Sequence, residues 1–393
     1  MITFHKIKNQ LVLFFIIRLF LATGERMFAP FLPVISRGLD VEVTRVTLAL
    51  SLSFVASAFS PFLAGLSDRW GRKPAVLGSL IIYSAGCLLI AFFPNLAGFM
   101  LGALMMGMAH SVIIPTILAY LSDRVPYQNR GLYLSLVETS WALSFIIGIP
   151  LMAVIVEKFG WQVPFLLLAA VNTILFFAVL RFIPEDRSFL KSSSPFLGHM
   201  KSLLGSKPAL AGLFIGLLYG MSEHTINIVM GLWMEDAFNL AVLAIGGVAS
   251  LVGVAQLGGE LLSAFGVDRL GKIRSTRAAM LFIIVILLQV FWLGKSFTGA
   301  VIWLFLAFFT FEFAFVCSLS LISELLPESR STMAASYTTF VACGFAVGTY
   351  LGSYLYSFGM GYVAISSAIL CAIALLLFQV FLIPRLPPDK AGV

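Results

Sequence analysis

Long apolar stretches alternate along the chain with short polar ones. The apolar runs lie near residues 11–35, 46–66, 74–93, 98–122, 131–156, 162–183, 209–233, 242–265, 276–294, 299–322, 334–357 and 361–383, twelve in all. A helix needs roughly 20 apolar residues to cross a bilayer, whereas a barrel strand needs about 10 in strict alternation. These runs are long and do not alternate. The pattern predicts an all-α membrane protein with twelve transmembrane helices.

One polar stretch is longer than the rest. Residues 184–208 hold Pro184-Glu185-Asp186-Arg187 and Ser192-Ser193-Ser194-Pro195. They read as a cytoplasmic linker, with a short surface helix expected from Phe196 to Leu204. The linker separates residues 1–183 from residues 209–393, each with six spans.

The two parts repeat one another. Ala64-Gly65-Leu66-Ser67-Asp68-Arg69-Trp70-Gly71-Arg72-Lys73 follows span 2, and Ala264-Phe265-Gly266-Val267-Asp268-Arg269-Leu270-Gly271-Lys272 follows span 8. Asp123-Arg124-Val125-Pro126 and then Arg130 follow span 4; Glu324-Leu325-Leu326-Pro327 and then Arg330 follow span 10. Gly148 matches Gly348, and Phe159-Gly160 matches Phe358-Gly359. Glycines also recur every fourth residue at Gly212, Gly216 and Gly220 and at Gly344, Gly348 and Gly352, echoed by Ser140, Ser144 and Gly148. Such stripes share a helix face and let a neighbouring backbone come close, as static packing or as a sliding seam.

Composition agrees with the membrane reading. Hydrophobic residues make up 60% of the 393 and charged residues 11%, against about a quarter charged in a soluble domain. The net charge of +7 is a topology signal. Nineteen lysines and arginines fall in segments placed inside, only Arg37, Arg45, Lys158 and Lys295 outside, and Arg18 and Arg26 within the membrane. The positive-inside rule then puts both termini in the cytoplasm. The expected partners are membrane lipids and a small-molecule substrate, with no nucleic acid, and the chain is expected to act as a monomer. Cys87, Cys317, Cys343 and Cys371 each lie in an apolar run and are expected to pack as small apolar groups without a disulfide.

Ionisable residues inside the membrane are costly and mark function or structural pairing. The set is Arg18, Glu25 and Arg26 in span 1, His110 in span 4, Glu138 in span 5, Glu223 and His224 in span 7, Glu260 in span 8 and Glu312 in span 10. Glu25 and Arg26 are turned about 100° apart on a helix, so they address different neighbours. One arginine is expected to pair with a carboxylate on another helix, with Glu138 as a candidate. Glu223 and His224 are expected to point apart for the same reason. Tyr219, Glu223 and Asn227 form a polar i, i+4, i+8 stripe. Glu312 stands among five phenylalanines, which make an apolar pocket around one acid or simply face lipid. A desolvated carboxylate can take up a proton on one side of the membrane and release it on the other, and Glu25 and Glu223 lead for that role.

The Asp-Arg-x-Gly-Arg-Lys turn after span 2 and its partial copy after span 8 resemble the signature loops of the major facilitator superfamily. This resemblance covers the whole chain and is nearest the twelve-span solute–proton antiporters. It implies two pseudo-symmetric six-helix bundles working by alternating access, with spans 1, 4, 7 and 10 lining a central cavity. The Gly24-Glu25-Arg26 and Ser222-Glu223-His224 stretches would then face a shared substrate path. Asp68, Arg69, Gly71, Arg72, Arg130, Asp268, Arg269 and Gly271 would form the conformational gate. Departures exist: Ala64 and Ala264 replace the usual glycines, and Gly102 stands where exporters of the family often carry an arginine in span 4.

The stretch Gly266 to Ile273 nearly spells a phosphate-binding loop but lacks the Ser or Thr that binds magnesium. No zinc-protease, nucleophile-elbow or metal-ligand pattern is evident, so neither an enzyme nor a metal site is expected. The expected function is secondary active transport of a small organic solute, driven by a proton gradient without a cofactor, in the cytoplasmic membrane. Export by antiport is slightly preferred. The alternatives are import of an anionic solute by symport and a non-transporting sensor of the same fold.

Overall fold

The computed structural model describes residues 4–58, 71–185, 205–325 and 330–385. Side chains are described for these except residues 4–6, 57–58, 127–128, 266, 268–270, 330–332 and 385. Among the described residues every regular element is helical.

The first contact unit comprises Met1–Ser193 with Asn239–Ser250. It holds α1 (Phe4–Arg26), α2 (Phe28–Leu39), α3 (Val43–Ala58), α4 (Arg72–Phe92) and α5 (Leu96–Arg124). Next come α6 (Tyr127–Leu143), a π-helical segment at Ser144–Gly148, α7 (Ile149–Phe159) and α8 (Val163–Phe182). The second unit comprises Ser194–Phe238 with Leu251–Val393. It contains α9 (Lys207–Asn227), α10 (Met230–Phe238), most of α11 (Val242–Leu270) and α12 (Lys272–Leu288). After these come α13 (Phe297–Ile322), α14 (Arg330–Tyr356) and α15 (Met360–Leu377).

Among the described residues ten spans are long and apolar enough to cross a membrane. The two remaining positions of the twelve-span pattern are α3 and α14. The predicted continuation of α3 lies outside the described residues. The 27 residues of α14 are long enough, but Ser336, Tyr337, Thr338, Thr339, Thr349 and Ser353 dilute their hydropathy. The surface helix expected at 196–204 lies outside the described residues.

The internal repeat is visible in local geometry. Gly71, the N-cap of α4, has φ 96° and ψ 155°, and Gly271, the N-cap of α12, has φ 88° and ψ 136°. Only glycine enters this region without strain, so both turns need it. Gly160 and Gly359 also share positive φ, at 93° and 112°. Asn95 caps α5 by accepting the Gly98 N–H at 2.9 Å, and Ser296 caps α13 by accepting that of Gly299 at 3.2 Å.

The glycine stripes of α9 and α14 lie against each other inside the second unit. A methyl group at Gly344 would come within 2.7 Å of the Met221 nitrogen, and one at Gly348 within 2.6 Å of the Met221 carbonyl. Backbone-to-backbone packing of this kind replaces the hydrophobic effect as the force between helices in lipid. In the first unit Gly148 packs on the Thr23 side chain instead.

Candidate functional site

Span 1 is interrupted at Met27, between α1 and α2. Pro30 has no N–H, so the Arg26 carbonyl loses its helical partner four residues on. The Met27 N–H still reaches the Thr23 carbonyl at 3.0 Å, and the Phe31 N–H that of Met27 at 3.2 Å. Glu25 and Arg26 thus end α1 beside a break in mid-span. Interrupted helices at matching places in two repeats are the best structural pointer to a transporter's binding region.

Glu25 and Arg26 turn to different neighbours. Oε2 of Glu25 lies 3.3 Å from Nε2 of His110 on α5. The same oxygen is buried and accepts no hydrogen bond from the described residues. A cavity of about 20 Å³ adjoins the pair, with Ser53, Tyr83, Phe28, Phe54 and Met106 in its lining. It has room for one water-sized occupant. The Tyr83 hydroxyl donates to the Leu21 carbonyl at 3.2 Å. A side chain at Gly24 would collide with that hydroxyl, with Leu168 and with Met106, so glycine there lets α1 seat Glu25.

Arg26 reaches span 5. Its Nη1 donates to the Trp141 carbonyl at 2.8 Å, and its guanidinium lies 3.6 Å from the centre of the Phe145 ring and 4.4 Å from that of Trp141. Stacking of a desolvated cation on aromatic rings is worth about 2 kcal/mol. Phe145 belongs to the π-helical segment Ser144–Gly148, whose extra residue re-aims the helix face. Arg18 takes Glu138, with two parallel hydrogen bonds between guanidinium and carboxylate. Of the two arginines considered for Glu138, Arg18 is the one that pairs.

Span 7 breaks at Ile228-Val229, between α9 and α10. No proline accounts for this break. Glu223 sits one turn before it, buried at 7% exposure. Its Oε1 accepts from Asn227 Nδ2 at 3.1 Å, and its Oε2 lies 3.5 Å from His224 Nδ1. The expectation that Glu223 and His224 point apart is therefore wrong. Helix geometry separates their Cβ directions, but two long side chains can bend until their tips meet. The His224 ring stacks on Phe345 with centroids 4.5 Å apart.

Tyr219 lies one turn below Glu223, but its hydroxyl donates to the Phe311 carbonyl and its ring stacks on Phe315. Glu312 is near enough to act electrostatically on that hydroxyl. It lies where α13 meets α11, its Cβ against Gly259. Ser222 and Ser367 exchange hydrogen bonds with each other's carbonyls, both at 3.0 Å, and tie α9 to α15.

The segments expected on the inside carry matched ion pairs. Arg72, first residue of α4, lies 3.6 Å from Asp123 at the end of α5. Lys272, first residue of α12, lies 2.7 Å from Glu324 just past α13. Asp123 and Glu324 were not among the gate residues expected from sequence, although both recur in the repeat beside the residues that were. Arg130 is half-buried at the start of α6. Asp68 and Arg69 lie outside the described residues. Asp268 and Arg269 fall in α11, but their side chains lie outside the described set.

Comparison with known proteins comes to the same fold. The family model described as Major Facilitator Superfamily matches residues 14–341. The chain is 23% identical over 381 residues to the MFS-type transporter YceJ of Bacillus subtilis, covering 94% of this chain and 96% of that protein. It is 25% identical to a gentisate transporter of Corynebacterium glutamicum over 58% of this chain and 54% of that one. It is 28% identical to the multidrug resistance protein MdtG of Enterobacter lignolyticus over 66% of this chain and 64% of that one. A bacterial homologue of the human lysosomal transporter Spinster, solved inward-facing and occupied, superposes with a TM-score of 0.80 at 12% identity. That superposition covers 97% of this chain and 99% of the other.

Proposed function

The chain belongs to the Major Facilitator Superfamily, and from that premise we propose that it couples the movement of a small organic solute to a proton gradient by alternating access. That it is a membrane transporter of small solutes and not an enzyme follows from the family. Proton coupling is the added step.

A contrast among the carboxylates carries it. Glu138, Asp123 and Glu324 each pair with an arginine or lysine. Those partners keep their charge at every physiological pH, so the pairs stay neutral overall without a proton. The ionic partner of Glu25 among the described residues is His110. Histidine is the side chain that changes charge between pH 5 and 8. A carboxylate–imidazole pair can therefore gain and lose a proton in the range a cell offers, beside a helix break that can change accessibility.

Export by antiport remains the first reading, supported by the likeness to MdtG. Import of an anionic solute with protons is the second. It is favoured by Arg26, a buried permanent cation stacked on two rings, which suits an aromatic carboxylate. The likeness to the gentisate transporter supports it as well. Arg72, Asp123, Lys272 and Glu324, with Asp68, Arg69, Arg130, Asp268 and Arg269, are assigned to an inner gate. The protein is assigned to the cytoplasmic membrane as a monomer; both termini are assigned to the inside, supported by the distribution of its basic residues.

The test uses purified protein in proteoliposomes loaded with a pH-sensitive dye and exposed to aromatic acids, including gentisate, and to cationic dyes such as ethidium. A solute that moves protons, with movement abolished by a protonophore, supports coupling and shows its direction. Solute exchange that ignores an imposed pH gradient refutes it. Binding without exchange favours the sensor.

A further inference from the structure

Glu223 stands in the second unit as Glu25 stands in the first. Each lies at the end of the first helix of its half, next to a mid-span break. Each has a histidine imidazole as its ionic partner among the described residues, at 3.3 Å for Glu25 and 3.5 Å for Glu223. The two histidines come from unrelated places. His110 lies on α5, two spans or more from Glu25 in sequence, whereas His224 is the residue next to Glu223.

One turn from Glu223 on α9, the Tyr219 hydroxyl feels Glu312 from α13, Glu223 itself, Tyr337 from α14 and Cys371 from α15. None of these is a cation. Near Glu25, α4 offers Tyr83, on whose hydroxyl both Glu25 and Cys87 act; Glu138 on α6 is held by Arg18. Arg26 stacks on Trp141 and Phe145 of span 5.

Charge accounting follows. A glutamate beside a neutral imidazole leaves one uncompensated negative charge in a low-dielectric interior, which is strongly disfavoured. One proton on the pair makes it neutral overall. Asn227 adds a hydrogen bond to Oε1 of Glu223 but supplies no charge. Each pair therefore brings one carboxylate and one imidazole together, at 3.3 Å and 3.5 Å.

We propose that the transporter carries two separate proton sites, Glu25–His110 in the first half and Glu223–His224 in the second, so that two protons move in each turnover. This rests on the proton-coupled reading and goes beyond it by fixing the number and place of the sites. Each site gains one proton from the side it faces and returns one to the other side; no covalent bond forms.

The chain has four histidines, His5, His110, His199 and His224, so nitrogen-15 NMR of labelled histidine resolves the question without a known substrate. The full-length protein in lipid nanodiscs is titrated from pH 4 to 9, with signals assigned through His110→Gln and His224→Gln. Two intramembrane imidazoles are expected to titrate. Glu25→Gln weakens proton binding at His110 at least tenfold and leaves His224 within twofold; Glu223→Gln does the converse. If His224 keeps one protonation state throughout while His110 titrates and answers to Glu25→Gln, the second site is refuted and the proton-coupled reading stands. If neither imidazole titrates, both fall. If Glu25→Gln displaces both titrations equally, the sites are not separate and the proposal fails. Proton counting over the same range gives a second readout: the double variants Glu25→Gln with His110→Gln and Glu223→Gln with His224→Gln are each expected to bind one proton fewer than wild type. An unchanged count for the second double variant overturns the second site.

Discussion

Nε2 of His110 lies 3.3 Å from Oε2 of Glu25, across 85 residues of sequence and between two different spans. That contact separates Glu25 from Glu138 and Asp123, acids of the first unit that pair with permanent cations. Glu138 and Asp123 are held by arginines. A pair whose basic member titrates near neutral pH can exchange protons; a pair whose basic member is a guanidinium cannot. The function proposed above rests on that difference.

The Arg18–Glu138 pair is expected to be structural. The Arg18 side chain is only 9% exposed, while that of Glu138 is 41% exposed and shares its charge with water. Glu138→Gln leaves a buried guanidinium without its anion and should cost about 1.5–3 kcal/mol. Arg18→Met leaves a partly wet carboxylate and should cost less. A lower melting temperature for Glu138→Gln than for Arg18→Met, with proton coupling intact in both, is the expected result. Loss of coupling with unchanged melting would assign the pair to the transport machinery instead.

Lys272 and Glu324 test the inner gate. Both side chains are about one-third exposed, so their 2.7 Å contact contributes at most about 1 kcal/mol to stability. Lys272→Glu or Glu324→Lys alone should slow solute exchange several-fold with little change in melting temperature. The double swap, which restores opposite charges, should recover most of the rate. No recovery would mean that the pair is incidental to turnover.

Gly71 and Gly271 hold φ of 96° and 88° where α4 and α12 begin. Alanine at either place should be strained by about 1–3 kcal/mol. Because these residues lead into Arg72 and Lys272, the strain should reach the gate. Gly71→Ala and Gly271→Ala are expected to reduce exchange rates to a similar extent, as measured by solute counterflow. A normal rate in both would show that the turns relax without effect.

Much of this was legible from the pattern of residues. Lipid burial leaves unmistakable apolar runs, and the repeat of Asp68 and Gly71 at Asp268 and Gly271 marks two halves in the sequence itself. The intramembrane acids and bases stand out for the same reason. Their partners do not. Arg18 or Arg26 fits Glu138 equally well on paper, and only packing seats Arg26 on Trp141 and Phe145. His110 meets Glu25 because α5 crosses α1 at that height, which a one-dimensional pattern does not encode. The break after Asn227 has no proline to announce it, unlike the one before Pro30. Glu223 and His224 meet although helix geometry turns them apart, since about 100° of rotation limits Cβ direction and not the reach of the side-chain tips. The ion pairs Arg72–Asp123 and Lys272–Glu324 were within reach, because both members recur in the repeat.

Solute-evoked proton movement in proteoliposomes tests the central claim most directly, with wild type and Glu25→Gln compared on whichever solute of the panel scores. The account predicts that Glu25→Gln about halves the protons moved per solute, leaving those carried through Glu223 and His224, while exchange of the same solute at equal concentrations persists. Proton movement in Glu25→Gln equal to that of wild type would contradict it.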